Sequence, residues 1–182
     1  MHIKYPLMAL LKAEPRTANQ LRQDFNHVTG DLWPINIGQV AQTLTRLERD
    51  ELATPCGETT GPTGRQATLY QLTPAGQKEL ETWWATAVGP LSTASARNER
   101  DELVLKFLIA DSDPDINFLE LLDAQRFNNL RLIRQLGEEL RELPATRTAQ
   151  RLIVEKQLLD LEAQSRLLDR IEALTPSQER QS

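Results

Sequence analysis

The chain has one cysteine, Cys56. No intrachain disulfide can therefore form, and a lone thiol fits a reducing compartment. In its local pattern Cys56 reads as a strand residue. The two histidines, His2 and His27, stand far apart with no cysteine near either. No metal-ligand cluster follows from them, and no metal or other cofactor is expected. No run of eighteen apolar residues occurs, which argues against a membrane-spanning helix. The opening MHIKYPLMALLKAEP has a basic and then an apolar stretch, as a secretory leader does. Its apolar run is short, no small-residue cleavage site follows, and charges come at once, so it reads as the first helix of a cytoplasmic chain. A nucleophile paired with a base and a glycine-rich phosphate cradle are also missing, so no enzyme is expected.

Positive charge is in short supply as well. The net charge is −5, which excludes a protein that is basic all over. Residues 1–88 hold 8 Lys and Arg against 9 Asp and Glu, net −1, and residues 89–182 hold 13 against 17, net −4. The acidity lies in the second half. A local basic patch in the first half remains compatible with these totals, because groove binding needs positive charge only at the contact surface.

The 182 residues, 40% of them hydrophobic, suffice for one sizeable core or two small domains. Composition changes in AVGPLSTASARNERDE, residues 87–102, where Gly89-Pro90 and a small-residue stretch mark a break. Before it, Pro6 suits the first turn of a helix carrying Leu7, Leu10 and Leu11. Thr17 is an N-cap with Gln20 completing a capping box. Ala18, Leu21, Phe25 and Val28 give that second helix its stripe, and Gly30 ends it. Asn36 can cap a third helix. There Ile37, Val40, Leu44 and Leu47 recur at spacings of 3, 4 and 3, one helical face. The opposite face collects Gly38, Gln39, Gln42, Thr45, Arg46 and Arg49. Two short strands, LATPC and ATLYQLT, flank a polar loop with three glycines, one proline and Arg65. Thr73-Pro74 then opens a helix with Leu80, Trp83 and Trp84 on its apolar face.

After the break the pattern is helical. ERDELVLKFLIA reads as a buried helix. A long helix is expected from Asp113-Pro114 to about Leu143, with Leu130, Ile133, Leu136, Leu140 and Leu143 as its stripe. Pro144 ends it and Thr146 can cap the next. In that last helix Val154, Leu158, Leu161, Ser165 and Leu168 keep a heptad register for about two heptads.

Three helices, a hairpin and a fourth helix form the order of a winged helix-turn-helix domain. Several stretches here resemble the PadR family of transcriptional regulators: LWPINIGQVAQTLTRLERDELA, GPTGRQATLYQLTPAGQKELETWW and ERDELVLKFLIA. The resemblance covers nearly the whole chain. It implies a mainly α fold with a small β-hairpin, a winged helix-turn-helix joined to a C-terminal antiparallel helical domain. The expected division is a DNA-binding domain at 1–88, a linker at 89–100, a helical dimerisation domain at 101–175 and a flexible tail at 176–182. It further implies a homodimeric repressor of double-stranded DNA operators, with some members answering small-molecule effectors. The chain departs from the family twice. Ala41 stands where a tyrosine is usual, and Glu51 where a glycine is usual, at a turn that favours a left-handed backbone.

The functional expectation is that the third helix enters the major groove. Gln39 and Gln42 can pair bidentately with adenine and Arg46 with guanine, and Thr45 lies on the same face. Arg49 and Arg65 are candidates for phosphate or minor-groove contact. Thr17 and Asn36 start helices, whose N–H groups favour phosphate oxygens. A solvated helix face fits the same glutamines and arginines from pattern alone. Trp83 and Trp84 suit core or interface, and form a candidate effector pocket. Leu130, Ile133, Leu136, Leu140, Val154, Leu158, Leu161 and Leu168 are the candidate dimerisation residues. A winged-helix protein-interaction module that has lost DNA binding is the alternative.

Overall fold

The computed structural model describes residues 3–60, 64, 66–89 and 101–175. In chain order the elements are α1 (Lys4–Ala13), β1 (Arg16–Thr17), α2 (Ala18–Val28), α3 (Ile37–Arg49), β2 (Ala53–Thr60), β3 (Gln66–Leu72), α4 (Pro74–Ala85), α5 (Glu102–Asp111), α6 (Phe118–Glu142) and α7 (Ala149–Leu174). They group into two compact units. One holds α1 to α5 with the sheet and extends to Ile116; the other holds Ala87–Gly89, α6 and α7. None of the described helices is long and apolar enough to cross a membrane.

The core of the first unit is built around α1. Pro6, Leu7, Met8, Ala9, Leu10 and Leu11 are all buried in consecutive positions, the mark of a helix covered on most sides. Leu21 and Phe25 of α2, Val40, Leu44 and Leu47 of α3, and Leu80 and Trp83 of α4 join it. Leu105 and Ile109 of α5 belong to the same cluster. The boundary expected at residue 101 therefore does not hold for α5, whose apolar face completes the first unit. Ile37 also departs from expectation. It is 49% exposed, while Ile35 in the preceding turn is buried at 3%. The stripe on α3 thus begins at Val40, and Ile35 fills the place that pattern assigned to Ile37.

The sheet has three antiparallel strands in the order β1-β3-β2. β2 and β3 form the expected hairpin, running from Ala53 opposite Leu72 to Thr60 opposite Gln66. A shift between Pro55 and Gly57 leaves Cys56 as a bulge residue, with an exposed thiol. The third strand was not foreseen: Arg16 pairs with Tyr70 and Thr17 with Leu69. A two-residue strand carries no periodicity, so sequence pattern has nothing to detect.

Turn chemistry sets the path between helices. Thr17 caps α2 and Gln20 completes the box. At its far end the amides of Gly30 and Asp31 donate to the carbonyls of His27 and Asn26, with Gly30 at φ 56°. The end of α3 has the same Schellman arrangement. Glu51 N donates to Glu48 O at 3.0 Å and Leu52 N to Leu47 O at 2.8 Å. Glu51 holds φ 58°, so this chain keeps the left-handed turn and places a side chain in it. Leu47 and Leu52, both buried, close the motif with an apolar pair. Thr73 caps α4, with Pro74 in its first turn; its hydroxyl donates to Glu51 O at 2.7 Å.

Within α5, Lys106 is a buried cation, 2% exposed. Its ammonium donates to the carbonyls of Trp83, Trp84 and Thr86 at 2.7, 3.1 and 2.6 Å. It thereby satisfies the carboxyl end of α4, where helix carbonyls lack partners and a positive charge is favoured. Burial pulls its pKa down to about 8.

The second unit is an antiparallel hairpin of α6 and α7. Arg126 reaches Asp169 at 2.8 Å and Glu172 at 2.6 Å. At the other end the Arg151 guanidinium donates to the carbonyls of Leu140, Leu143 and Pro144. α6 starts later than expected. Asn117 caps it, while Asp113 accepts the Asp115 amide in a preceding turn. Thr148 caps α7 in place of Thr146. Val154, Leu161 and Leu168 are buried at 3%, 0% and 0%. These heptad-spaced residues are covered by the chain's own residues, so they are corrected from partner surface to intrachain core. Leu158 is half-buried, as are Ile133, Leu136 and Leu140, whereas Leu130 is exposed. Phe127, Leu152, Ile153 and Leu159 add exposed apolar surface.

Candidate nucleic-acid interface

The α2–turn–α3 segment positions every side chain that the sequence singled out except Arg65, which lies outside the described residues. Asn36 caps α3 by accepting Gln39 N at 2.9 Å, and Gln39 Oε1 accepts Asn36 N at 3.0 Å. This box fixes the helix start and leaves its first turn exposed. It also commits the Gln39 carbonyl oxygen. A bidentate pair with adenine needs both ends of that amide, so Gln39 could read adenine only by opening its own cap. The Thr17 side chain is likewise engaged. Its hydroxyl donates to Gln20 Oε1 at 2.9 Å and accepts Gln20 N at 3.3 Å, and the residue is 6% exposed. At α2 an incoming phosphate would meet first-turn N–H groups rather than the Thr17 hydroxyl.

Further along α3, Gln42 and Arg46 are exposed and lie one turn apart on the same face. Neither side chain has a hydrogen bond or ion pair among the described residues. Thr45 differs: its hydroxyl donates to Ala41 O at 3.1 Å. Arg49 is exposed, but its Nε donates to Asp50 at 2.8 Å. That bond holds the Asp50 carboxyl below its usual range and raises the Arg49 guanidinium. Glu48, Asp50 and Glu51 make this end of α3 acidic. The free positive charge on the ridge is therefore at Arg46.

Two cations near α2, Arg16 and Lys12, are paired. Arg16 bonds Asp24 and lies 3.3 Å from Glu14. Lys12 lies 3.2 Å from Asp113 and 3.0 Å from Asp115. These two cations line a cavity of about 470 Å³ with Leu10, Val28, Ile109 and His27. Sequence reasoning did not find this cavity, since its walls come from α1, β1, α2, the end of α5 and the turn after it. Arg16 Nε is buried without a partner. The tryptophan pair is more tightly closed. Trp83 stacks on Tyr5 with centroids 5.2 Å apart and planes at 7°, and its Nε1 donates to Glu102 at 3.2 Å. Trp84 tilts against it at 4.5 Å, its own Nε1 buried and unpartnered.

Among the described residues, no group of three His, Cys, Asp and Glu side chains could hold a metal ion. No curated protein matches the chain. Solved structures similar to it include Bacillus subtilis PadR in complex with operator DNA, 20% identical over 95% of this chain and 97% of that one, TM-score 0.44. Another is smu.1604c from Streptococcus mutans UA159, 18% identical over 95% and 99%, TM-score 0.43. A third is the Vibrio cholerae virulence activator AphA, 18% identical over 94% and 96%, TM-score 0.41. Residues 7–82, from α1 into α4, match the transcriptional regulator PadR-like family.

Proposed function

We propose that the protein is a dimeric repressor that grips operator DNA with α3 in the major groove of each half-site. The observation that carries this reading is the uncommitted pair Gln42 and Arg46, one turn apart and outward-facing on a helix capped at its start. Arg46 supplies a bidentate contact to guanine and Gln42 one to adenine, each giving about 1–3 kcal/mol of discrimination. The first-turn amides of α3, around the Asn36 cap, hold a phosphate. Thr17 marks the corresponding start of α2, and Arg65 adds a backbone contact. Arg49 and Thr45 border the ridge, with Arg49 first having to leave Asp50. Gln39 keeps its capping role.

Dimerisation in this reading uses the outer faces of α6 and α7. Leu130, Phe127, Leu152, Ile153 and Leu159, all exposed along the two helices, offer more apolar surface than a solitary hairpin leaves in water. Two-fold pairing then sets the half-site spacing. A small effector fits the cavity beside Arg16 better than the closed tryptophan pair. Its volume is in the range of small-molecule sites, and the buried Arg16 Nε–H offers a donor for a ligand oxygen.

The acidic end of α3 and the neutralised Arg49 favour a second reading, a winged protein-interaction module. Gel shifts against DNA from the protein's own gene region separate the two. The regulator binds with log affinity falling linearly in log salt, by about 0.9 per phosphate contacted. A protein-interaction module shows no sequence-dependent shift at any salt.

A further inference from the structure

The exposed face of α3 is not uniformly polar. At about 100° per residue, Ile37, Ala41 and Thr45 form one row along the helix, four residues apart. Gln42 and Arg46 form another, further round the same exposed face. Ile37 is 49% exposed, Ala41 is exposed, and the buried stripe is already complete without them in Val40, Thr43, Leu44 and Leu47. Thr45 belongs to the apolar row because its hydroxyl is turned back onto Ala41 O. That leaves its methyl group, not its hydroxyl, to meet a partner. Three apolar groups in line, edge to edge with two free hydrogen-bonding side chains, form a surface with one apolar and one polar margin.

From this juxtaposition we propose that the Ile37–Ala41–Thr45 row is a thymine-reading surface, specific for the C5-methyl groups of the major groove. The inference rests on the regulator reading above and deepens it. In the major groove thymine is the base that presents a methyl group, and small aliphatic side chains are its complement. The first turn of a recognition helix is the part that reaches the base edges, and Ile37 stands there. Arg46 and Gln42 then read a guanine or adenine beside the thymines that the apolar margin covers. A solvated helix face needs no such row. A β-branched residue at the exposed first position of a helix is tolerated there, whereas against a thymine methyl it is buried to advantage. Each methyl group removed from water strengthens binding about fourfold.

The test alters the DNA and leaves the protein intact. Duplexes bound by the full chain are selected from random sequence. Each thymine of the recovered site is then replaced in turn by 2′-deoxyuridine, which lacks the methyl and keeps every hydrogen-bonding group. The inference expects one or two positions per half-site where the replacement weakens binding about fourfold. Ile37→Ser and Ala41→Ser should bring the thymine-to-uracil ratio at those positions toward one, with the guanine preference given by Arg46 retained. Tight, sequence-specific binding that is indifferent to uracil at every thymine overturns the inference and leaves the regulator reading standing. Failure to recover any bound duplex overturns both.

Discussion

Gly76 lies so close to the carbonyl of Leu52 that a Cβ at that position would stand 2.0 Å from the oxygen. The first turn of α4 thus rests on the turn that leaves α3. Thr73 N donates to the same carbonyl at 3.1 Å, and the Thr73 hydroxyl caps α4 through Gly76 N at 3.0 Å. Cap, proline and glycine in LTPAG are one device for seating α4 against the turn that ends α3. Because the clash is with backbone, Gly76→Ala must displace α4 and should cost about 1–3 kcal/mol, as overpacking does. Urea unfolding of the variant measures this as a lowered midpoint.

Glu51 gives a change of the opposite sign. At φ 58° its Cβ is strained, while the Schellman bonds around it need only backbone. Glu51→Gly should therefore stabilise the protein by about 0.5–1 kcal/mol, the relief of left-handed strain less the added freedom of the unfolded chain. The denaturant midpoint should rise with an unchanged slope. A fall would mean that the glutamate side chain contributes more than its strain costs.

Lys106 predicts a pH dependence. Its pKa in the folded state is about 8, below the ordinary lysine value near 10.4. Between those values the unfolded chain binds the extra proton, so stability attributable to Lys106 rises with pH across that window and is flat below it. Lys106→Met removes this contribution. The difference in unfolding free energy between wild type and variant should move in favour of wild type from pH 8 to 10, by about 1–3 kcal/mol. A pH-independent difference contradicts the assignment.

The two helices of the second unit separate core from surface. Leu161→Ala should cost about 2–5 kcal/mol, as for other buried leucines, because its side chain is fully covered within the chain. Phe127→Glu, at a 73% exposed position, should leave the midpoint of chemical unfolding at low protein concentration almost unchanged. In sedimentation velocity it should shift the species toward the monomer. Dissociation by Leu161→Ala without loss of stability would reverse the two roles.

The parts of this fold that were legible in sequence are those written in local hydrogen bonds. Thr17 with Gln20, Asn36, Thr73-Pro74 and Gly30 each sit where a cap or stop must, since the partner is a backbone group three or four residues away. Longer-range features were not legible. The heptad register of Val154, Leu161 and Leu168 reveals a buried face without revealing whose residues bury it. β1 is too short to have a period. ERDELVLKFLIA reads as a buried helix, but the partners of Lys106 within it appear only when the carboxyl end of α4 is placed over it. At the candidate interface, pattern located the ridge of Gln42 and Arg46, but could not foresee that Gln39, Thr45 and Arg49 are engaged by their own neighbours. It also assigned Ile37 to the core because four apolar residues fit one helical face, whereas Ile35 in the turn fills that place.

In the proposed function Arg46 on α3 reads a base. Selection of bound sequences from random DNA, run in parallel with wild type and Arg46→Ala, tests it most directly. Wild type should select a defined site containing a guanine whose preference is lost in the variant, with affinity for the site about 10- to 100-fold lower. Identical preferences and equal affinity for the two proteins would contradict it.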